Sequence, residues 1–329
     1  MTQTSQDIKV VVLDDYEGFA ASVPSYEKVQ ARAQVAILRT KLKDDTELAK
    51  ALHGVQILLP VRERTKLGDK ELALAPVLKF ISQTGAGIGH LDLAAATRRK
   101  IAVCLTGSEP PVSTIELTMA LILSCLRKIP LVDRRMRAEA WPPIPGYLLA
   151  GKAVGIVGLG RIGGEVARLC LAFNARVLAT GKTLTDERAR AAGVTKVTME
   201  ELFRDSDIVT VHPKYNQETR GLITEKEIVL MKQGAFLINT SRGPIVSEAA
   251  LVRALERGQL GGVGLDVYDE EPLPFEHPLR RFDNAILLPH RGYATVEVLQ
   301  ERFERAMSNI VDFIDGKPLK LLNAEALSD

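Results

Sequence analysis

Very little in this 329-residue chain suggests a metal protein, a secreted protein or a nucleic-acid binder. Only three cysteines occur, Cys104, Cys125 and Cys170, in apolar segments with no CxxC and no His–Cys spacing suited to zinc. That pattern argues against a metal or disulfide framework and for buried free thiols in a reducing compartment. Neither sign of charge dominates: 43 Lys and Arg stand against 41 Asp and Glu, a formal net charge of +2. There is accordingly no basic face for nucleic acid and no acidic solvating tail. The most apolar long stretch, Val112 to Leu126, carries Glu116 and is too short to span a bilayer. The opening "MTQTSQDIKVVVL" is polar and runs straight into a strand, unlike a signal peptide. The expected class is a cytoplasmic enzyme or binding protein with no metal, membrane or nucleic-acid partner.

What the chain does have is alternation. "KVVVLDD", "QVAILR", "VQILLP", "LKFISQTG" and "KIAVCLTG" are β-rich runs separated by helix-like stretches, which predicts a parallel sheet covered on both faces. A second series follows: "KAVGIVGLG", "ARVLAT", "DIVTVHP", "AFLINTS", "GGVGLDV" and "AILLPH". Between them, "STIELTMALILSCLRKIPLVDRRMRA" reads as one long helix, capped by Ser113 or Thr114 and kinked at Pro130, with the loop "WPPIPGY" ending it. A closing amphipathic segment runs from about Val296 to Phe313, with Val298, Leu299, Phe303, Met307, Ile310 and Val311 on its apolar side. Two α/β units are expected, with a boundary near residues 107–112, since the length suffices for two cores.

"AVGIVGLGRIGGEVARLCLAF" places Gly158, Gly160 and Gly163 as GxGxxG directly after a strand and before a helix. The first glycine permits a tight turn and the second lets backbone approach a pyrophosphate. The third packs helix on strand, and the helix N-terminus favours the anion. The strand tip that follows, "ATGKT", carries no acid. Gly181 stands where an NAD site has a carboxylate for the ribose hydroxyls, so nothing repels a 2′-phosphate. Lys182 and Thr183 offer a charge and a hydroxyl to such a phosphate; a solvated Lys182 and a merely permissive site are the alternative. The cofactor is expected to be NAD(P), with a lean to NADP and NAD not excluded.

"LINTSRGPIV", "GLDVYDEEPLP" and "LLPHRGYAT" each carry a polar residue just past an apolar strand. The carboxyl ends of parallel strands line the ligand crevice, so Arg242, Glu271 and His290 are expected to converge there. An imidazole can move a proton to or from an alkoxide, and a neighbouring carboxylate favours its charged form. A guanidinium fork can hold a carboxylate at two points.

These motifs resemble the D-isomer-specific 2-hydroxyacid dehydrogenase family over essentially the whole chain. The likeness lies in "GLGRIGGEVA", "DIVTVHPKYNQETRGLI", "MKQGAFLINTSRGPIV", "GVGLDVYDEEPLP" and "LLPHRGYAT". It implies an α/β fold with a Rossmann dinucleotide-binding domain, residues 108–296. The remainder, 1–107 and 297–329, would be a discontinuous flavodoxin-like substrate domain. Arg242, Glu271 and His290 would be the catalytic set. Asp266 would contact the cofactor carboxamide, and Arg161, Ile162, Pro213, Thr240 and Ser241 would make further cofactor contacts. "QTGAGIGHLD" is similar to the family's carboxylate-binding loop, here Ala86 and Gly87. "VRERT" is similar to a segment in which Arg62 can reach the distal part of the substrate. The family's layout also implies a homodimer through Ser113–Ala138 and closure of two domains around substrate.

The implied activity is hydride transfer between NAD(P)(H) and a D-2-hydroxy acid or 2-keto acid such as 3-phosphoglycerate, glyoxylate or hydroxypyruvate. Arg62 and Arg64 favour a phosphorylated acid, unless they are simply solvated. Glu271, where formate-oxidising relatives carry glutamine, argues against formate. Gly89 and His90 depart from the family's usual residues; His90 is either a second acid/base or a neutral packed side chain. The chain stops soon after the closing helix, so no appended regulatory domain is expected. The alternative function is a cofactor-sensing, corepressor-type protein on the same fold.

Overall fold

Short aliphatic runs become strands that are buried on both faces. In the computed structural model, which describes residues 8–107, 111–138 and 141–327, two compact units form. One comprises residues 1–110 and 295–329, the other residues 111–294. The expected domain start at residue 108 and the polar stretch 1–7 lie outside the described residues.

In the first unit, β1 (Lys9–Leu13), β2 (Gln34–Ile37), β3 (Ile57–Pro60), β4 (Phe80–Gln83) and β5 (Ala102–Leu105) form a parallel sheet. Its order, β2-β1-β3-β4-β5, is the flavodoxin-like one. All residues of β3 and β4 are buried, as a sheet covered on both faces requires. The helix Val296–Ile314 returns to this sheet and buries Phe303, Met307 and Ile310, each worth about 1.5–3 kcal/mol. Phe313 stacks on Phe80 at 4.3 Å, and the Ser82 hydroxyl donates to the Ala306 carbonyl at 2.9 Å. Beyond the helix, buried Asn323 accepts from the Val103 N–H at 2.8 Å and donates to the Ile101 carbonyl at 3.0 Å. The segment after the second unit is thereby part of the first unit's core.

The second unit carries β6 (Ala153–Val157), β7 (Arg176–Thr180), β8 (Thr195–Lys196), β9 (Ile208–Val211), β10 (Ala235–Asn239), β11 (Leu260–Leu265) and β12 (Ala285–Leu287). The order β12-β11-β10-β9-β6-β7-β8 runs outward in both directions from β6 and β9. This is Rossmann topology, and the crevice at its switch point lies beyond the carboxyl ends of those two strands. β8 is short and exposed, with no apolar run to betray it.

One expectation needs correction. The long helix is two helices, Val112–Arg127 and Ile129–Ala138. The break is at Lys128, which takes φ +54° as a left-handed cap. Pro130 sits in the first turn of the second helix, where its missing N–H costs nothing. Ser113 and Thr114 lie inside the first helix, behind Pro111 at the cap position, so neither caps it. The Thr114 hydroxyl instead donates to the Gly292 carbonyl at 2.9 Å. The three cysteines are free and buried, and among the described residues no helix is long and apolar enough to cross a membrane.

Candidate active site

The turn after β6 is built to leave room on one side only. Gly158 takes φ +91°, and a Cβ there would lie 2.9 Å from the Pro213 nitrogen. A Cβ on Gly163 would sit 2.2 Å from the Gly158 carbonyl oxygen, so helix and turn touch through backbone. At Gly160 a Cβ would meet no protein atom within 4 Å. The helix Arg161–Ala172 begins there without a side-chain cap. Its first amides, at Arg161, Ile162 and Gly163, lack intrahelical acceptors and point a partial positive charge outward. Open space beside uncapped amides fits a dinucleotide pyrophosphate.

Around this turn, the Ser241 hydroxyl donates to the Pro213 carbonyl at 2.6 Å, and Thr240 bonds to Thr118 at 2.8 Å. At the tip of β7, Gly181, Lys182 and Thr183 are exposed. A Cβ on Gly181 would come no closer than 3.8 Å to its neighbours, so the position does not demand glycine. Lys182 is paired with both carboxylate oxygens of Glu218 at 2.9 Å. Sequence reasoning missed Arg188. Its guanidinium donates to the Thr183 and Leu159 carbonyls, both at 2.9 Å, tying the strand tip to the glycine turn. Nothing in the motif marks it, because its partners are backbone atoms.

Arg242 follows β10, Glu271 follows β11 and His290 follows β12, so successive strands deliver them. His290 Nδ1 lies 2.6 Å from Glu271 Oε2, and the Tyr268 N–H donates to Glu271 Oε1 at 3.1 Å. Burial alone would raise the Glu271 carboxyl. The His290 hydrogen bond and charge, the Tyr268 N–H and the Arg242 charge outweigh it and hold the group below the usual range. Arg242 is exposed and donates to the Ser241 carbonyl at 2.7 Å, while buried Asn239 donates to the Arg242 carbonyl at 3.0 Å. His290 has φ +54°, an uncommon conformation for a residue with a side chain. Buried Asp266 holds that loop by accepting the N–H groups of Arg291 at 2.5 Å and Gly292 at 2.7 Å. Burial pushes the Asp266 carboxyl up in spite of these bonds. The Tyr268 hydroxyl lies 3.2 Å from the Leu265 carbonyl and 3.0 Å from that of Leu288, joining the ends of β11 and β12.

Arg62, Ala86 and Gly87 belong to the first unit, on loops following β3 and β4. Arg62 takes φ +59°, and its N–H donates to the Thr84 hydroxyl at 2.8 Å. Glu63 lies against the Ala86–Gly89 loop and accepts the Gly89 N–H at 2.9 Å. Arg64 forks onto Glu17 at 2.6 and 2.9 Å, donates to the Asp14 carbonyl and lies over the Tyr16 ring. All of these partners lie in its own unit. Both His90 ring nitrogens are buried without a hydrogen-bond partner among the described residues, and burial lowers its pKa. His90 is therefore neutral at pH 7.

Residues 119–292 match the family described as D-isomer specific 2-hydroxyacid dehydrogenase, NAD binding domain. The chain is 38% identical over 270 residues to a glyoxylate reductase of Thermofilum pendens, covering 80% of each. It is 37% identical over 262 residues to a D-3-phosphoglycerate dehydrogenase of Archaeoglobus fulgidus, covering 79% of this chain. It spans about half the length of that relative (50%). A solved phosphoglycerate oxidoreductase from Vibrio cholerae O395 superposes with a TM-score of 0.87 at 30% identity, over 94% of this chain and 99% of the other.

Proposed function

The chain belongs to the D-isomer-specific 2-hydroxyacid dehydrogenase family, and on that premise we propose that it interconverts a D-2-hydroxy acid and its 2-keto acid. The observation that carries this reading is the Glu271–His290 pair at 2.6 Å, with the Arg242 charge acting on the same carboxylate. A nicotinamide dinucleotide, when bound, supplies or accepts the hydride. Gly158, Gly160, Arg161, Ile162 and Gly163 would hold its pyrophosphate, and Pro213, Thr240, Ser241 and Asp266 would make or support further contacts with it. His290 gives its proton to the forming alkoxide in reduction and takes one from the hydroxyl in oxidation. Glu271 orients the imidazole and favours its charged form. Arg242 bridges a carboxylate oxygen and the keto oxygen, and offsets the charge that grows there in the transition state.

Ala86 and Gly87 bind the substrate carboxylate, and Arg62 meets its distal end. Substrates in the class include 3-phosphoglycerate, glyoxylate and hydroxypyruvate. Gly181 brings no carboxylate of its own against a 2′-phosphate, so the reading leans to NADP(H) over NAD(H), with Lys182, once released from Glu218, and Thr183 as the groups that would meet it. The protein acts as a cytoplasmic homodimer through its two central helices, where Ile129 and Met136 are about half exposed, at 50% and 48%. The test is a panel of 2-keto acids assayed with NADH and with NADPH. Reduction of at least one acid is expected; tight dinucleotide binding with no turnover on any acid overturns the reading.

A further inference from the structure

A second histidine–carboxylate pair stands behind the first. Glu248 opens the helix Glu248–Glu256, and its Oε2 lies 3.2 Å from His277 Nε2. Both side chains are largely buried, 13% and 19% exposed. His277 Nδ1 accepts the Leu279 N–H at 3.3 Å, so the ring proton is on Nε2 and faces Glu248. The other carboxylate oxygen, Oε1, accepts the Asp269 N–H at 2.8 Å. Asp269 is one residue from Tyr268, whose N–H is held by Glu271 itself.

Two consecutive amides of one turn are thus anchored to two different carboxylates. Gly243 closes the remaining side, since a Cβ there would lie 1.9 Å from the Tyr268 carbonyl carbon. Arg280 gathers the outgoing strand of the loop by donating to the Leu273 and Pro274 carbonyls at 2.8 and 2.9 Å. The titratable groups facing Glu248 are Asp269 and His277, with the Arg220 charge acting on Asp269.

We propose that Glu248, braced by His277, is a positioning residue that fixes the turn presenting Glu271 to His290. This rests on the reading of Glu271 and His290 above. Glu248 does not touch the reacting groups; it sets the distance at which Glu271 meets the imidazole. Tyr268 is buried at the head of the turn, but Asp269 to Pro272 beyond it are exposed, so releasing Asp269 lets Glu271 swing away and the couple loosen.

Glu248→Gln tests this with the shape kept: the amide still accepts from Asp269 but presents N–H to the His277 Nε2–H. Glu248→Ala removes both bonds. The turnover number for keto-acid reduction is expected to fall about tenfold in Glu248→Gln and further in Glu248→Ala, with the KM of the acid changed less than about twofold. The alkaline limb of the pH profile of kcat/KM moves to lower pH, because a loosened carboxylate favours the imidazolium less. By NMR, the downfield proton resonance of the His290 Nδ1–Glu271 bond weakens or broadens. A lower melting temperature with that resonance and the pH limb unmoved overturns the proposal and leaves Glu248 a structural residue. If Glu248→Ala does not fold, the same readings on Glu248→Gln decide. The NMR reading needs no turnover, so absence of activity on every keto acid counts against the assigned function and not against the clamp.

Discussion

The second unit holds two histidine–carboxylate pairs of the same chemistry in different settings. In His277–Glu248 the carboxylate faces Nε2 at 3.2 Å and a backbone amide occupies Nδ1, so both ring nitrogens are committed to structure. In His290–Glu271 the carboxylate takes Nδ1 at 2.6 Å, and the imidazole sits on a residue with φ +54°. The φ of His277 is −61°, ordinary for its place at the head of a short 3-10 turn. A left-handed backbone at a side-chain-bearing residue is held only when surrounding bonds over-determine it, here those of Asp266 to the next two amides. One pair is built into a scaffold; the other is displayed by it.

The sharpest way to break that contrast is to treat the two rings alike. His290→Asn is expected to lower kcat by about 10²–10⁴, the usual worth of a positioned acid/base, while dinucleotide affinity by fluorescence titration stays unchanged. His277→Asn acts only through the turn and costs about tenfold or less. Equal losses at the two positions would erase the distinction. Next in size is Arg242→Lys, for which a loss of roughly 10² in kcat/KM is expected. A point charge cannot bridge two oxygens as the fork does; near-full activity would remove Arg242 from the substrate.

A third charged pair, Lys182–Glu218, extends the comparison to open solvent, with side chains 79% and 67% exposed. Such a pair adds little to stability. Its neighbour Gly181 has room for a side chain, which makes it the position at which the proposed cofactor choice can be tested. Gly181→Asp is expected to lower the ratio of kcat/KM for NADPH over NADH about tenfold, a modest like-charge repulsion across partly hydrated space. An unchanged ratio would mean that this strand tip does not choose the cofactor.

The parallel sheets were readable because strands buried on both faces must be nearly continuous in aliphatic residues, as "KVVVL" and "AVGIV" are. Thr195–Lys196, two exposed residues, carries no such mark. The helix break at Lys128 was misassigned to Pro130 because a proline is visible in sequence, whereas a left-handed φ is a property of the folded chain. Arg242, Glu271 and His290 could be singled out because each lies in the loop that follows an apolar strand. Glu248 and His277 could not be paired: they lie 29 positions apart, and Glu248 looks like an ordinary acidic residue in a helix's first turn. Arg188 escapes for a related reason, since its partners are backbone carbonyls. Local periodicity and strand-end position survive in one dimension, and tertiary pairing through backbone does not.

The smallest expected effect separates the two carboxylates by the sign of their pH dependence. Glu271 is held below the ordinary carboxyl range in the fold, by its partners working against burial. Its contribution to stability is therefore complete above the unfolded value near about 4.3 and is lost as pH falls through the lower folded value. Glu248 is pushed up, chiefly by burial. It holds its proton to higher pH in the fold, so it imposes no charge penalty below about 4.3 and a growing one as pH rises through its folded value. Urea unfolding of wild type, Glu271→Gln and Glu248→Gln between pH 4 and pH 7 reads both signs. The destabilisation by Glu271→Gln should grow with pH, and that by Glu248→Gln should shrink. Slopes of the same sign would mean that one environment acts on both carboxylates, and the distinction between a displayed pair and a structural one would fall.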